Sequence, residues 1–93
     1  MFMKLLFEWD ASKARTNLKK HGVSFEEATT IFGDPRAITI KSRVTSSEER
    51  MVTIGKTASG SVIIVVVHTD RNDRIRIISA RPASKQERHQ YIG

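Results

Sequence analysis

The chain has 93 residues, 39% of them hydrophobic and 28% charged, and no cysteine, so disulfides and thiolate metal sites are excluded. Its length points to one domain, expected to span residues 1–93, which buries only about 60–65% of the surface of the unfolded chain. The net charge is +6 and the sequence pI about 10.2, which makes a polyanionic partner a serious expectation.

The N-terminal run Met1-Phe2-Met3-Lys4-Leu5-Leu6-Phe7 is apolar but short, and Glu8 and Asp10 follow at once. It is too short for a signal peptide or a membrane span, so a cytoplasmic location is expected. Leu5 to Trp9 reads as a first short strand. Asp10 is a good N-cap for a helix from Ala11 to His21, stopped by Gly22. Its inward stripe is Ala14, Asn17, Leu18 and His21, two of them polar. Ser24 and Glu27 form a capping box, with Val23 and Ala28 able to staple around it. A second helix is predicted over Phe25–Phe32, with Phe25, Ala28, Ile31 and Phe32 inward, ended by Gly33-Asp34-Pro35.

The middle of the chain reads as β. Ala37 to Ile40 alternates briefly, Lys41 to Glu49 reads as a polar loop, and Arg50 to Thr57 alternates again. Ala58-Ser59-Gly60 is a hairpin turn. Val62 to Val67 is an unbroken run of β-formers, the pattern of a central strand covered on both faces. After a turn at Arg71-Asn72-Asp73, a last strand is predicted over Arg74–Ser79. Ser84 and Glu87 form another capping box, opening a short C-terminal helix. The order β-α-α-β-β-β-β-α gives an α+β domain: a small antiparallel β-sheet with two N-terminal helices and a short C-terminal one.

The basic charge is concentrated late. Arg71, Arg74, Arg76, Arg81, Lys85 and Arg88 face only Asp73 and Glu87 over residues 71–93. Arginine is the better side chain for two-pronged phosphate contact. The acidic residues fall mostly on caps and turns (Asp10, Glu27, Asp34, Asp73, Glu87) and the histidines stand apart, so neither a metal site nor a cofactor is expected. RNA cleavage needs neither, because RNA carries its own nucleophile, the 2′-hydroxyl. An enzyme must position the attack, relieve charge on the phosphoryl oxygens and move protons.

Arg74, Arg76 and Ile78 share one face of the last predicted strand and Ile75 and Ile77 the other. Arg50, Arg76 and Arg81 are the candidates for an RNA-facing surface, and His68, Glu87 and Tyr91 for proton transfer or stacking. Each has a plainer alternative: solvent-facing arginines, His68 at a capped strand end, Glu87 as a helix cap, Tyr91 as packing. His21 is expected to pack at its helix C-terminus, and Trp9 in the core.

Several blocks in order carry a family resemblance. Phe7-Glu8-Trp9-Asp10, Lys13-Ala14, Asn17 and Lys20 through Ala28 resemble the opening of the BrnT toxins. Glu49-Arg50, Ile54-Gly55, Val65-Val66-Val67-His68-Thr69, Arg76 through Arg81, Glu87-Arg88 and Tyr91 resemble the remainder. The resemblance implies a RelE-like fold and a ribonuclease toxin of a type II toxin–antitoxin pair that cuts RNA and arrests growth, and the missing acidic cluster makes a metal-independent endoribonuclease the expectation. It also implies a BrnA-type ribbon-helix-helix antitoxin, a 2:2 heterotetramer, and repression of the shared operon, with operator DNA contacted only through the antitoxin. The alternative is a non-catalytic basic module that binds nucleic acid and regulates.

Overall fold

Each element forms where the local chemistry closes its ends. The computed structural model describes residues 5–45, 48–60 and 62–92. The start of the short apolar N-terminal run, residues 1–4, and the centre of the expected polar loop, residues 46–47, lie outside them. Strand β1 is Leu6–Glu8. Helix α1 (Ala11–His21) starts where the Asp10 carboxylate accepts the Lys13 N–H, and stops at Gly22 with φ 73°, a left-handed conformation that glycine adopts without steric cost. Helix α2 is Phe25–Thr29, begun by Ser24, and it tightens into a 3₁₀ turn over Thr30–Gly33. The second predicted helix is thus divided: Thr29 and Thr30 hydroxyls bond back to the carbonyls of Glu26 and Glu27, a local competition that weakens helical continuation.

Strands β2 (Ile38–Thr45), β3 (Glu48–Lys56), β4 (Ile63–Arg71) and β5 (Arg74–Pro82) follow, then α3 (Lys85–Ile92). The sheet order is β1-β5-β4-β3-β2, with β4 at the centre. The expectation of an all-antiparallel sheet needs correction. Leu6, Phe7 and Glu8 pair in parallel with Arg74, Ile75 and Arg76, a three-residue contact between chain ends that leaves no signature in sequence. The predicted loop over Lys41–Glu49 is also corrected. Pairing continues through Val44–Glu49 and Thr45–Glu48 past a register shift, and Lys41 bridges to Glu49 at 3.3 Å. Strand β2 is an edge, where charged side chains discourage further pairing and hide the apolar alternation.

The β4–β5 turn places Asn72 and Asp73 at φ 53° and 63°, the double left-handed geometry that matches strand twist in a two-residue hairpin. Helices α1 and α2 cover one face of the sheet, called the back here. Val23, Phe25, Ala28 and Ile31 pack there on Ile64, Val66, Ile77 and Ala80, with Phe7, Trp9 and Phe32 at the margin. Trp9 meets Phe25 edge-on at 6.0 Å. Leu18, placed on the inward stripe by periodicity, is instead half exposed. Gly55 lets the 3₁₀ turn lie on β3, since a Cβ there would stand 2.9 Å from the Ile31 Cβ. Helix α3 covers part of the opposite, front face, where Tyr91 packs on Ile54, Val65 and Ala83. Among the described residues no helix is long and apolar enough to cross a membrane.

A candidate RNA-binding face

One irregularity decides which arginines share a face. Arg76 and Arg81 are five residues apart, and strict alternation would send them to opposite sides of β5. The register instead runs Val67–Ser79 and then His68–Ile77, leaving Ile78 as an extra residue in β5. Such a bulge resets the alternation. Ile77 and Ala80 therefore both enter the core behind the sheet. Arg76 and Arg81, paired with Thr69 and Val65, both stand in front. Sequence reading ended this strand at Ser79 and left Arg81 in a connection; it lies within β5.

The front face carries a cross-strand row. Glu8 pairs with Arg76, Arg76 with Thr69, and the β3–β4 register extended one step from Met51–His68 sets Arg50 beside Thr69. Glu8 Oε2 accepts from Arg76 Nη1 at 3.1 Å, and its Oε1 lies 3.9 Å from Arg74 Nε. Among the described residues two buried side-chain polar atoms lack a hydrogen-bond partner, Arg50 Nε and Thr69 Oγ1. Both lie in this row. Thr69 is only 2% exposed, so its hydroxyl is buried with no hydrogen-bond partner among the described residues, a cost that a partner coming within reach would remove.

Arg81 stands at the edge of α3. Its Nη1 and Nη2 donate to the two Glu87 carboxylate oxygens at 2.7 and 2.8 Å. The predicted capping box is complete: Ser84 N–H donates to Glu87 Oε1 at 2.8 Å and Glu87 N–H to Ser84 Oγ at 3.2 Å. The Arg81 guanidinium, followed by these caps, holds the Glu87 carboxyl down to about 2. Glu87 therefore stays ionised and bound near neutral pH, which makes it a poor proton acceptor. Tyr91 reaches from the next turn of α3, and its hydroxyl donates to Asp34 Oδ2 at 2.6 Å. That bond lowers Asp34 and raises Tyr91 from their ordinary values. Asp34 also accepts the backbone N–H groups of Lys56 and Arg36, so α3 is latched to the start of the β2–β3 hairpin.

His68 is not brought to this face. It is 1% exposed and lies on the back, edge-on to Phe32 at 5.0 Å. Its Nε2 meets Thr53 Oγ1 and its Nδ1 meets Asp70 Oδ1, both at 2.8 Å. A carboxylate only accepts, so Nδ1 carries the proton. Of the six sequence candidates, Arg50, Arg76, Arg81, Glu87 and Tyr91 belong to the front face or its helix, and His68 does not. Glu8 and Thr69 join the row without having been singled out as site residues. The lone charge of Glu8 in an apolar strand was the available signal, whereas Thr69 carries none.

Among the described residues no three His, Asp or Glu side chains gather as metal ligands. A small α+β domain turning an arginine-lined sheet face outward has the charge pattern that suits a polyanionic ligand. Comparison narrows this. The family model described as "Ribonuclease toxin, BrnT, of type II toxin-antitoxin system" matches residues 9–87. The 1.1 Å crystal structure of the Brucella abortus ribonuclease toxin BrnT is similar to this chain with a TM-score of 0.68 and 27% identity, covering 88% of this chain and 100% of that one. No curated protein matches. The chain belongs to the BrnT family of ribonuclease toxins of type II toxin–antitoxin systems, and a system of that type supplies a protein antitoxin as partner.

Proposed function

We propose that this toxin cuts RNA on the front face of its sheet, by attack of the substrate's own 2′-hydroxyl and without a resident metal. The observation that carries the reading is the row in which Arg50 Nε and Thr69 Oγ1, both buried and unpartnered, stand beside Arg76. Donors already aimed and already desolvated stabilise developing negative charge more than donors that must reorganise. Arg50, Thr69 and Arg76 would receive the phosphoryl oxygens, and Arg81 a neighbouring phosphate. Glu87 fixes Arg81 in place, and Tyr91 holds α3 by its bond to Asp34. His68 supports the fold from behind.

The carboxylates near this face are engaged with arginine, Glu8 with Arg76 and Glu87 with Arg81, which argues against their serving as a metal-binding set. The products would be a 2′,3′-cyclic phosphate or 3′-phosphate and a 5′-hydroxyl. The test is the purified toxin on RNA in excess chelator, with end-group analysis. Cutting should persist, and activity that disappears and returns with magnesium would overturn the metal-free reading.

The toxin would act on cytoplasmic RNA, arrest growth, and be held inactive by a BrnA-type ribbon-helix-helix antitoxin. A partner that covers arginines should present carboxylates, and added salt should slow its association. A 2:2 heterotetramer that represses its own operon through the antitoxin is the assembly proposed. Co-expression of the neighbouring reading frame, followed by purification through this chain and a mass measurement, tests it. A rescued culture with no co-purifying partner would overturn inhibition by direct contact.

A further inference from the structure

Cleavage by an internal hydroxyl needs a group that takes the hydroxyl proton, and most candidates on this molecule are disqualified by position. His68 is buried on the back of the sheet. Glu87 spends both carboxylate oxygens on Arg81 and one also on the Ser84 N–H. The Tyr91 hydroxyl is a donor to Asp34, a carboxylate already committed to two backbone N–H groups.

Glu8 is different. Its carboxylate sits in the same row as Arg76, Thr69 and Arg50, its side chain is 31% exposed, and among the described residues a hydrogen bond reaches Oε2 alone. Oε1 has Arg74 Nε at 3.9 Å, too far for a hydrogen bond, and so keeps its lone pairs for an incoming donor. A phosphate drawn between Arg76 and Arg50 would bring the adjoining ribose against this oxygen.

Resting on the reading of this face as the cleaving surface, we propose that Glu8 is the catalytic base, taking the 2′-hydroxyl proton on Oε1 while Arg76 holds the carboxylate and the phosphate together. The 2′-oxygen forms a bond to phosphorus and its proton passes to Glu8. The bond from phosphorus to the 5′-oxygen breaks, its electron pair stays on that oxygen, and water supplies the proton. Glu8 then returns its proton to the hydroxide left behind.

The experiment compares wild type, Glu8→Gln and Glu8→Ala on an RNA oligonucleotide in chelator, together with binding of the all-deoxy oligonucleotide of the same sequence. The glutamine amide oxygen still accepts from Arg76, so Glu8→Gln keeps the arginine positioned and serves as the folding control, checked by thermal melting. The proposal expects both variants to lose about 10²–10⁴ in kcat while KM and deoxy-oligonucleotide affinity stay within about threefold. A Glu8→Gln enzyme that cuts at nearly the wild-type rate beside a crippled Glu8→Ala would make Glu8 a positioning residue and overturn the proposal. So would full activity in both. Wild type that fails to cut RNA would instead overturn the reading of the face itself.

Discussion

The two faces of this sheet treat polar side chains in opposite ways. Behind the sheet they are closed into networks. Thr39, Thr53, His68 and Asp70 form one chain of 2.8 Å contacts. Asn17, buried in α1, donates to the carbonyls of Val23 and Ala80 and accepts the Ala80 N–H, completing β5 beyond the end of its short pairing with β1. In front, the arginines stand in a row whose two buried polar atoms are unpartnered. Satisfied polar groups specify a fold, whereas unsatisfied ones lower the cost of binding something that completes them. The same side-chain chemistry is tied into the architecture on one face and left open on the other.

The sharpest way to break this comparison is to remove a donor from the front. Arg76→Ala and Arg50→Ala should each lower the RNA cleavage rate by about 10²–10³, with thermal midpoints close to wild type because both side chains are partly exposed and surface truncations usually move stability by less than about 0.5 kcal/mol. Single-turnover cleavage beside a melting curve measures both. Arg81→Ala should also lose activity but should loosen α3 as well, since Glu87 then loses its two-pronged partner. Wild-type rates in all three variants would remove the front face from the reaction.

Behind the sheet the expected effects are on folding. Asn17→Ala leaves three backbone groups without their partner and should cost about 2–4 kcal/mol, read as a lower denaturation midpoint. His68→Ala opens the Phe32 side of the core and unties Thr53 and Asp70, at a cost of about 2 kcal/mol. The rate per folded molecule should be unchanged in both. A His68→Ala protein with native stability and no activity would put His68 back among the catalytic residues.

What sequence could reveal follows the same division. The caps at Asp10, Ser24 and Ser84, the stop at Gly22 and the central apolar strand were legible because each is a local signal, with donor, acceptor and spacing within a few residues. So was the basic character of residues 71–93. The β1–β5 pairing was not, since it joins residues 68 apart through three backbone positions. The polar half of the β2–β3 hairpin was hidden because an edge strand needs no apolar alternation. The bulge at Ile78 matters most for function, because it decides that Arg76 and Arg81 face the same way. His68 looked available for the same reason that Arg81 looked detached: facing in β5 and β4 depends on pairing partners far along the chain.

The smallest expected effect tests how the front face is held rather than what it does. Glu87 titrates near 4.5 when unrestrained and at about 2 in the folded chain, so the folded state favours its ionised form. A carboxyl lowered on folding contributes stability that is present above the unfolded value and lost as the pH falls through the folded one. The contribution should therefore be whole at neutral pH and fade between about pH 4.5 and 2 as Glu87 is protonated. What it holds is the start of α3, through Arg81 and the Ser84 cap. Acid should then fray α3 before it unfolds the sheet, since the core cluster packed behind the sheet is apolar. Glu87→Gln should remove much of that acid dependence and lower stability at neutral pH by about 1 kcal/mol, the scale of a lost cap. Amide hydrogen exchange along α3, compared with β4 across this pH range, reads the effect directly. Protection lost at the same pH in α3 and β4, in wild type and variant alike, would mean that the helix and the sheet open as one unit and that Glu87 is not the latch.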